Sequence, residues 1–186
     1  SRIRLLKQVI SSCRLWHGCL VASQARDLSW LFLRLGDRLE HADMVSRLVD
    51  PRVTQMVPGA STRWSSYEAI GWQNLLTALG GVELYRHSAR NRMHGSDVLD
   101  FVLRDTNFPQ SMAAALQSVR RYLNKLPHQR VSTDLLDGIV DGLTKLDLER
   151  LTPDLLTQNM DWIQQGLVTL HGHISAEYFF FQSNSP

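Results

Sequence analysis

An all-α fold, a multi-helix bundle of about seven or eight helices in one domain over residues 1–186, is predicted by three observations. Apolar residues recur at intervals of three and four rather than two. No run of β-branched residues bounded by hairpin turns occurs. Proline, glycine and capping residues fall between the periodic stretches, where helices must start and stop. A chain of 186 residues can bury a sizeable apolar core without disulfide or metal staples.

Residues 3–22 form a first helix and 26–50 a second, which stops before Pro51 because the residue preceding a proline avoids the α region. The segment 51–62, rich in Pro, Gly, Ser and Thr, is a loop. Ser65 and Glu68 have the spacing of a capping box and open a third helix, which the Gly80–Gly81 pair kinks or breaks. A fourth piece runs to about Arg90. Gly95 and Ser96 precede a short helix through Arg104, and Pro109 starts another that ends before Pro127. Ser132 or Thr133 caps the next. Thr152, Pro153 and Asp154 supply a cap, a first-turn proline and a favourable charge for a last helix reaching about Phe181. Its apolar positions 156, 160, 163, 167, 170, 174, 178 and 181 step by four and three almost throughout. Full burial of each is worth roughly 1.5–3 kcal/mol before entropy is subtracted, so this stripe is a main source of stability.

Composition narrows the function classes. A formal charge of +2 with a pI near 8.7 is too mild to imply a nucleic-acid or acidic-membrane partner. The apolar run LSWLFL at 28–33 falls far short of the ~20 residues that a membrane helix requires, and no signal peptide is visible. Cys13 and Cys19, six apart on a helix, point in different directions and do not bridge, which fits a reducing cytoplasm. The chain begins at Ser1 without an initiator methionine, as a fragment would.

The stretch LGDRLEHADMVSRLVD, 35–50, puts acids and bases into a helix that otherwise reads as core. At 100° per residue, Leu28, Leu31, Phe32, Leu35, Leu39, Ala42, Ser46 and Val49 gather on one face. Trp30, Leu33, Met44 and Leu48 gather on roughly the opposite side. Between them Gly36, Glu40, Asp43 and Arg47 form one line, with Asp50 one turn beyond. A charged line this narrow, flanked by apolar surface, is expected to be partly buried at a seam between helices. Arg47 then serves Asp43 and Asp50, Glu40 takes a donor from another helix, and loss of Arg47 strands buried carboxylates.

These residues resemble the alpha-E domain family, an α-helical domain with a recurring Glu-Arg motif in the pattern L-G-R-x-x-E-R-A-(D/E)-x-x-x-R-x-x-D. Leu35, Gly36, Glu40, Ala42, Asp43, Arg47 and Asp50 match that helix. SQARDLSWLFLRLG, WQNLLTALGGVELYRHSAR, VLDFVLRDTNFPQSMAAALQSVRRYLNKLP and HGHISAEYFF are similar to family landmarks in the same order. The resemblance spans nearly the whole chain and about the C-terminal half of a longer family member, whose earlier Glu-Arg helix is missing here. Three positions depart: Asp37 and His41 stand where the family has arginine, and Gln110 interrupts a Pro-Arg-Ser run. All three lost groups are cationic, so an anion bound by the family would be held more weakly here. The resemblance carries over no catalytic residue and implies no cofactor. It does imply a context, a circularly permuted ATP-grasp ligase of peptide or amide type, often with transglutaminase-like proteins.

Other constellations are weaker. His173 and Glu177 lie one helical turn apart, but His171 points about 160° away, so no metal is expected. Arg86, Arg90 and Arg92, with His87 and His94, form a basic cluster able to hold an anion or phosphate, though no aromatics interleave with it. No phosphate-loop, dinucleotide or nucleophile-elbow motif occurs, and Ser111 near Asp105 lacks a neighbouring histidine. Three functions follow. The leading one is a non-catalytic accessory or interaction domain whose partner is an ATP-grasp ligase, the missing N-terminal half of the family domain, or a second copy in a homodimer. The others are an enzyme of peptide or amide metabolism using Glu40 or Asp43 with Arg47, and an anion or small-molecule binding module.

Overall fold

A computed structural model describes residues 2–50, 68–88, 94–127 and 130–180. Among them are eight helices and no strand: α1 (Arg2–Ser23), α2 (Leu28–Val49), α3 (Glu68–Ala78), α4 (Val82–His87), α5 (Gly95–Arg104), α6 (Met112–Leu123), α7 (Arg130–Lys145) and α8 (Pro153–Tyr178). The all-α bundle expected from the periodicity is what forms.

Helix α2 lies against both α6 and α8, and α7 packs on those same two, so these four helices close into a bundle. The α8 stripe faces inward, with Leu156, Met160, Ile163, Leu167, Leu170 and Ile174 buried. Helix α5 covers the bundle through α6, α2 and α7, and carries α3 on its other side. Val98, Leu99, Phe101, Val102 and Leu103 are all buried, while Asp97, Asp100 and Arg104, at i, i+3 and i+7, give the helix its partly exposed polar face.

Local sequence sets the helix ends. Asp27 caps α2 by accepting from the Trp30 backbone N–H at 3.0 Å, and Thr152 caps α8 by accepting from that of Leu155 at 3.3 Å, with Pro153 in the first turn. The expected break at Gly80–Gly81 is a Schellman turn. Gly80 takes φ +67°, its N–H donates to the Thr77 carbonyl, and that of Gly81 donates to the Leu76 carbonyl at 2.7 Å. Gly81 is glycine for a second reason: a Cβ there would sit 2.8 Å from the Phe108 ring. The C-terminus of α7 is capped from afar by Arg104 of α5, which donates to the carbonyls of Leu143, Thr144 and Leu146.

Several boundaries differ from expectation. Helix α6 starts at Met112 rather than Pro109, because the Ser111 hydroxyl accepts from the Ala114 N–H at 3.0 Å and itself donates to the Asp105 carbonyl at 2.6 Å. Helix α7 starts at Arg130, so Ser132 and Thr133 lie inside it rather than capping it; Ser132 is fully buried, and its hydroxyl has no hydrogen-bond partner among the described residues. Helix α4 ends at His87, short of Arg90, and α8 ends at Tyr178. The expected cap Ser65, the loop 51–62 and Phe181 lie outside the described residues. No described helix is long and apolar enough to cross a membrane.

Candidate functional site

The charged line of α2 does not form a buried seam. The inward face runs through Leu35, Leu39, Ala42, Val45, Ser46 and Val49, and the line lies away from it on the outer side of the helix. Gly36, Glu40 and Arg47 are exposed. Arg47 donates to Asp43 through Nε at 2.7 Å and Nη2 at 3.2 Å, with 61% of the arginine side chain in solvent. The Asp43 hydrogen bond, then its charge, holds the Arg47 guanidinium above its ordinary value. The sequence reading erred because the second apolar patch, expected to be covered, is partly open: Leu33 and Met44 are 38% and 40% exposed. Asp50 departs from the line. It is 4% exposed at the C-cap of α2 and accepts from the Thr157 hydroxyl of α8 at 3.2 Å, tying the two helices together.

Of the basic cluster, Arg86 forms an exposed ion pair with Glu83 at 3.0 Å, one turn earlier on α4. Arg90 and Arg92 lie outside the described residues. A different cationic group, which sequence spacing did not single out, assembles on the face shared by α2 and α6. One oxygen of Asp37 accepts from Arg38 Nε at 3.0 Å and Arg38 Nη2 at 2.8 Å, and is ion-paired with Arg34 Nη1 at 3.0 Å. The Arg34 and Arg38 side chains are 17% and 16% exposed. Arg34 also donates through Nε to the Tyr122 hydroxyl of α6 at 3.5 Å and approaches His17 of α1. Trp30, nearly buried, lies under the guanidinium of Arg26 at 4.0 Å and within 5.5 Å of that of Arg34. The i, i+3, i+4 spacing of Arg34, Asp37 and Arg38 was visible in the sequence; that Tyr122 comes to meet them, 88 residues from Arg34, was not.

His41, where the resemblance expects arginine, is half-buried beside this group and hydrogen-bonded through Nε2 to the Gln110 carbonyl at 3.1 Å. Burial and the nearby Arg38 charge push its imidazole below the ordinary value, against the opposing pull of the Gln110 bond and Asp37. Two of the three positions at which the resemblance expects arginine, 41 and 110, thus meet in space.

Ser111 is an N-cap, spoken for by backbone at both ends. His171, His173 and Glu177 all point into solvent, and no three His, Cys, Asp or Glu side chains among the described residues gather as metal ligands would. The one Glu-Arg dipeptide in the chain, Glu149–Arg150, is exposed on the turn before α8.

Helix α1 buries none of its residues. Ile3, Leu5, Leu6, Val9, Ile10 and Trp16 share one broad arc and are 50–66% exposed. Arg4, Lys7 and Ser11 line the opposite side. Trp16 is 65% exposed, whereas Leu48 of α2 is half-buried and Trp30 is covered by its arginines.

The Alpha-E family, described as a predicted alpha-helical domain with a conserved ER motif, matches this chain over residues 1–179. No curated protein and no solved structure matches it.

Proposed function

From the premise that the chain belongs to the Alpha-E family, we propose that it is a non-catalytic interaction domain whose α1 face docks a protein partner, the ATP-grasp-type peptide or amide ligase that the family resemblance implies. The observation that carries this reading is the uncovered apolar arc of α1. Six large side chains at half exposure or more amount to on the order of 700 Å², above what most monomers show in one patch and close to the roughly 800 Å² that one partner gives to a standard interface. The helix carries Arg2, Arg4, Lys7 and Arg14 and no acid, with Lys7 and Arg14 nearest the edge of the arc, so the complementary surface is apolar at its centre and acidic at that edge. Two α1 helices facing each other would set cation against cation, which favours a different protein over a second copy.

An enzyme acting through Glu40 or Asp43 has less support. Such a base works from a concave, water-poor site, whereas Glu40 stands on an open helix face and Asp43 is engaged by Arg47. The test is co-expression with the ATP-grasp ligase of the same host. Wild type should co-purify with the ligase, and Val9→Asp with Trp16→Ala should abolish co-purification while leaving the melting temperature unchanged. Failure of wild type to associate sinks the reading. So does ATP turnover by the isolated domain that is lost in Glu40→Gln.

A further inference from the structure

We propose that Arg34, Arg38 and Tyr122 form an oxyanion-binding seat on the α2–α6 face, filled by the chain's own Asp37, so that a carboxylate- or phosphate-bearing ligand enters by displacing that side chain. This stands on contacts separate from the α1 surface and does not depend on the partner proposed above. Two Arg38 N–H groups donate to a single Asp37 oxygen at 3.0 and 2.8 Å, and Arg34 Nη1 stands at ion-pair distance, 3.0 Å, from that same oxygen, a concentration of positive charge and donors that a free carboxylate or phosphate oxygen would satisfy equally well. Both arginines are mostly removed from water, unlike the exposed Arg47 and Arg86, and their forks are held in place before any ligand arrives. Arg34 is braced by the Trp30 ring and by the Tyr122 hydroxyl.

The charge at this point is unbalanced. Two largely buried guanidiniums share one carboxylate, and Arg121 beside the Tyr122 ring and Arg26 over Trp30 add to the positive side. Tyr122 registers that field: burial pushes its phenol up, but the hydrogen bonds and charges of Arg34 and Arg121 outweigh burial and leave it below the ordinary value. Asp37, tethered one turn from Arg34 and next to Arg38, competes at high effective concentration with any external anion. Wild-type affinity is therefore reduced by the fraction of time that Asp37 occupies the seat.

Inorganic phosphate and succinate serve as probes, followed by calorimetry and by NMR of the arginine Nε–H groups. Asp37→Asn should bind at least one of them about tenfold or more tightly than wild type, because the competitor is gone. Asp43→Asn removes the same charge from the same helix away from the seat and should change affinity less than about twofold. Arg38→Gln in the Asp37→Asn background should return binding to the wild-type level or below. Tighter phosphate than succinate binding assigns the seat to phosphate-bearing ligands, and the reverse assigns it to carboxylates. Equal tightening by Asp43→Asn reduces the effect to bulk charge and overturns the proposal. If Asp37→Asn fails to fold, wild type decides: Arg34 and Arg38 resonances that move on titration support the seat, and resonances unmoved at saturating probe overturn it.

Discussion

Asp50 and Arg47 belong to one motif helix and end in opposite environments, which separates their energetics. Asp50 is buried against Thr157, so Asp50→Ala should destabilise by about 1–3 kcal/mol, through the hydroxyl left without its acceptor and the lost tie between α2 and α8. Arg47→Ala removes a solvated pair and should leave the urea midpoint within error of wild type. Matched denaturation curves check both, and a large loss from Arg47→Ala would restore the buried seam. His41 adds a pH dependence whose sign follows from burial. Its folded pKa lies below the ordinary value of 6.5, so the unfolded chain binds the proton more readily. The contribution is complete above about pH 6.5 and is lost as pH falls through the folded pKa. Melting temperature should decline from pH 7.5 toward 5, and His41→Gln, which keeps a donor for the Gln110 carbonyl, should shrink that decline.

At the scale of elements, helix ends were more legible than helix faces. Thr152–Pro153 and Gly80–Gly81 act where their chemistry places them, because a cap or a left-handed glycine is decided within four or five residues. The start of α6 was misjudged because two local signals competed. Pro109 suits a first turn, but Ser111 wins through its extra bond to the Asp105 carbonyl, a contact that only the preceding turn can offer. Ser111→Ala should therefore cost about 1–2 kcal/mol, the upper range for an N-cap. Gly81→Ala should cost about 1–3 kcal/mol, since the new methyl meets a buried Phe108 ring stacked on Phe101. Thermal melts of the two variants test these assignments, and a neutral Gly81→Ala would show that the ring has room to move.

For the whole molecule, the four-helix bundle of α2, α6, α7 and α8 holds most of the buried apolar side chains, while α1 holds none. Local stability should follow that division. In hydrogen exchange of the isolated chain, amides of α2, α6 and α8 should exchange only through global unfolding, while those of α1 exchange many-fold faster. Addition of a true partner should slow α1 selectively. Protection of α1 equal to that of α8 in the free protein would contradict the picture of an uncovered docking helix.

The amino-acid sequence by itself determined the helices, their approximate ends and the inward stripe of α8, each written in spacings shorter than about seven residues, and membership of the family, carried by landmarks in order along residues 1–179. Two amphipathic faces can read alike in sequence and meet different fates, because burial depends on which other helix arrives. Tertiary structure alone therefore decided that the Glu40–Arg47 line faces water, that the apolar arc of α1 remains uncovered, and that Tyr122 and Gln110 come to Arg34 and His41 from 88 and 69 residues away.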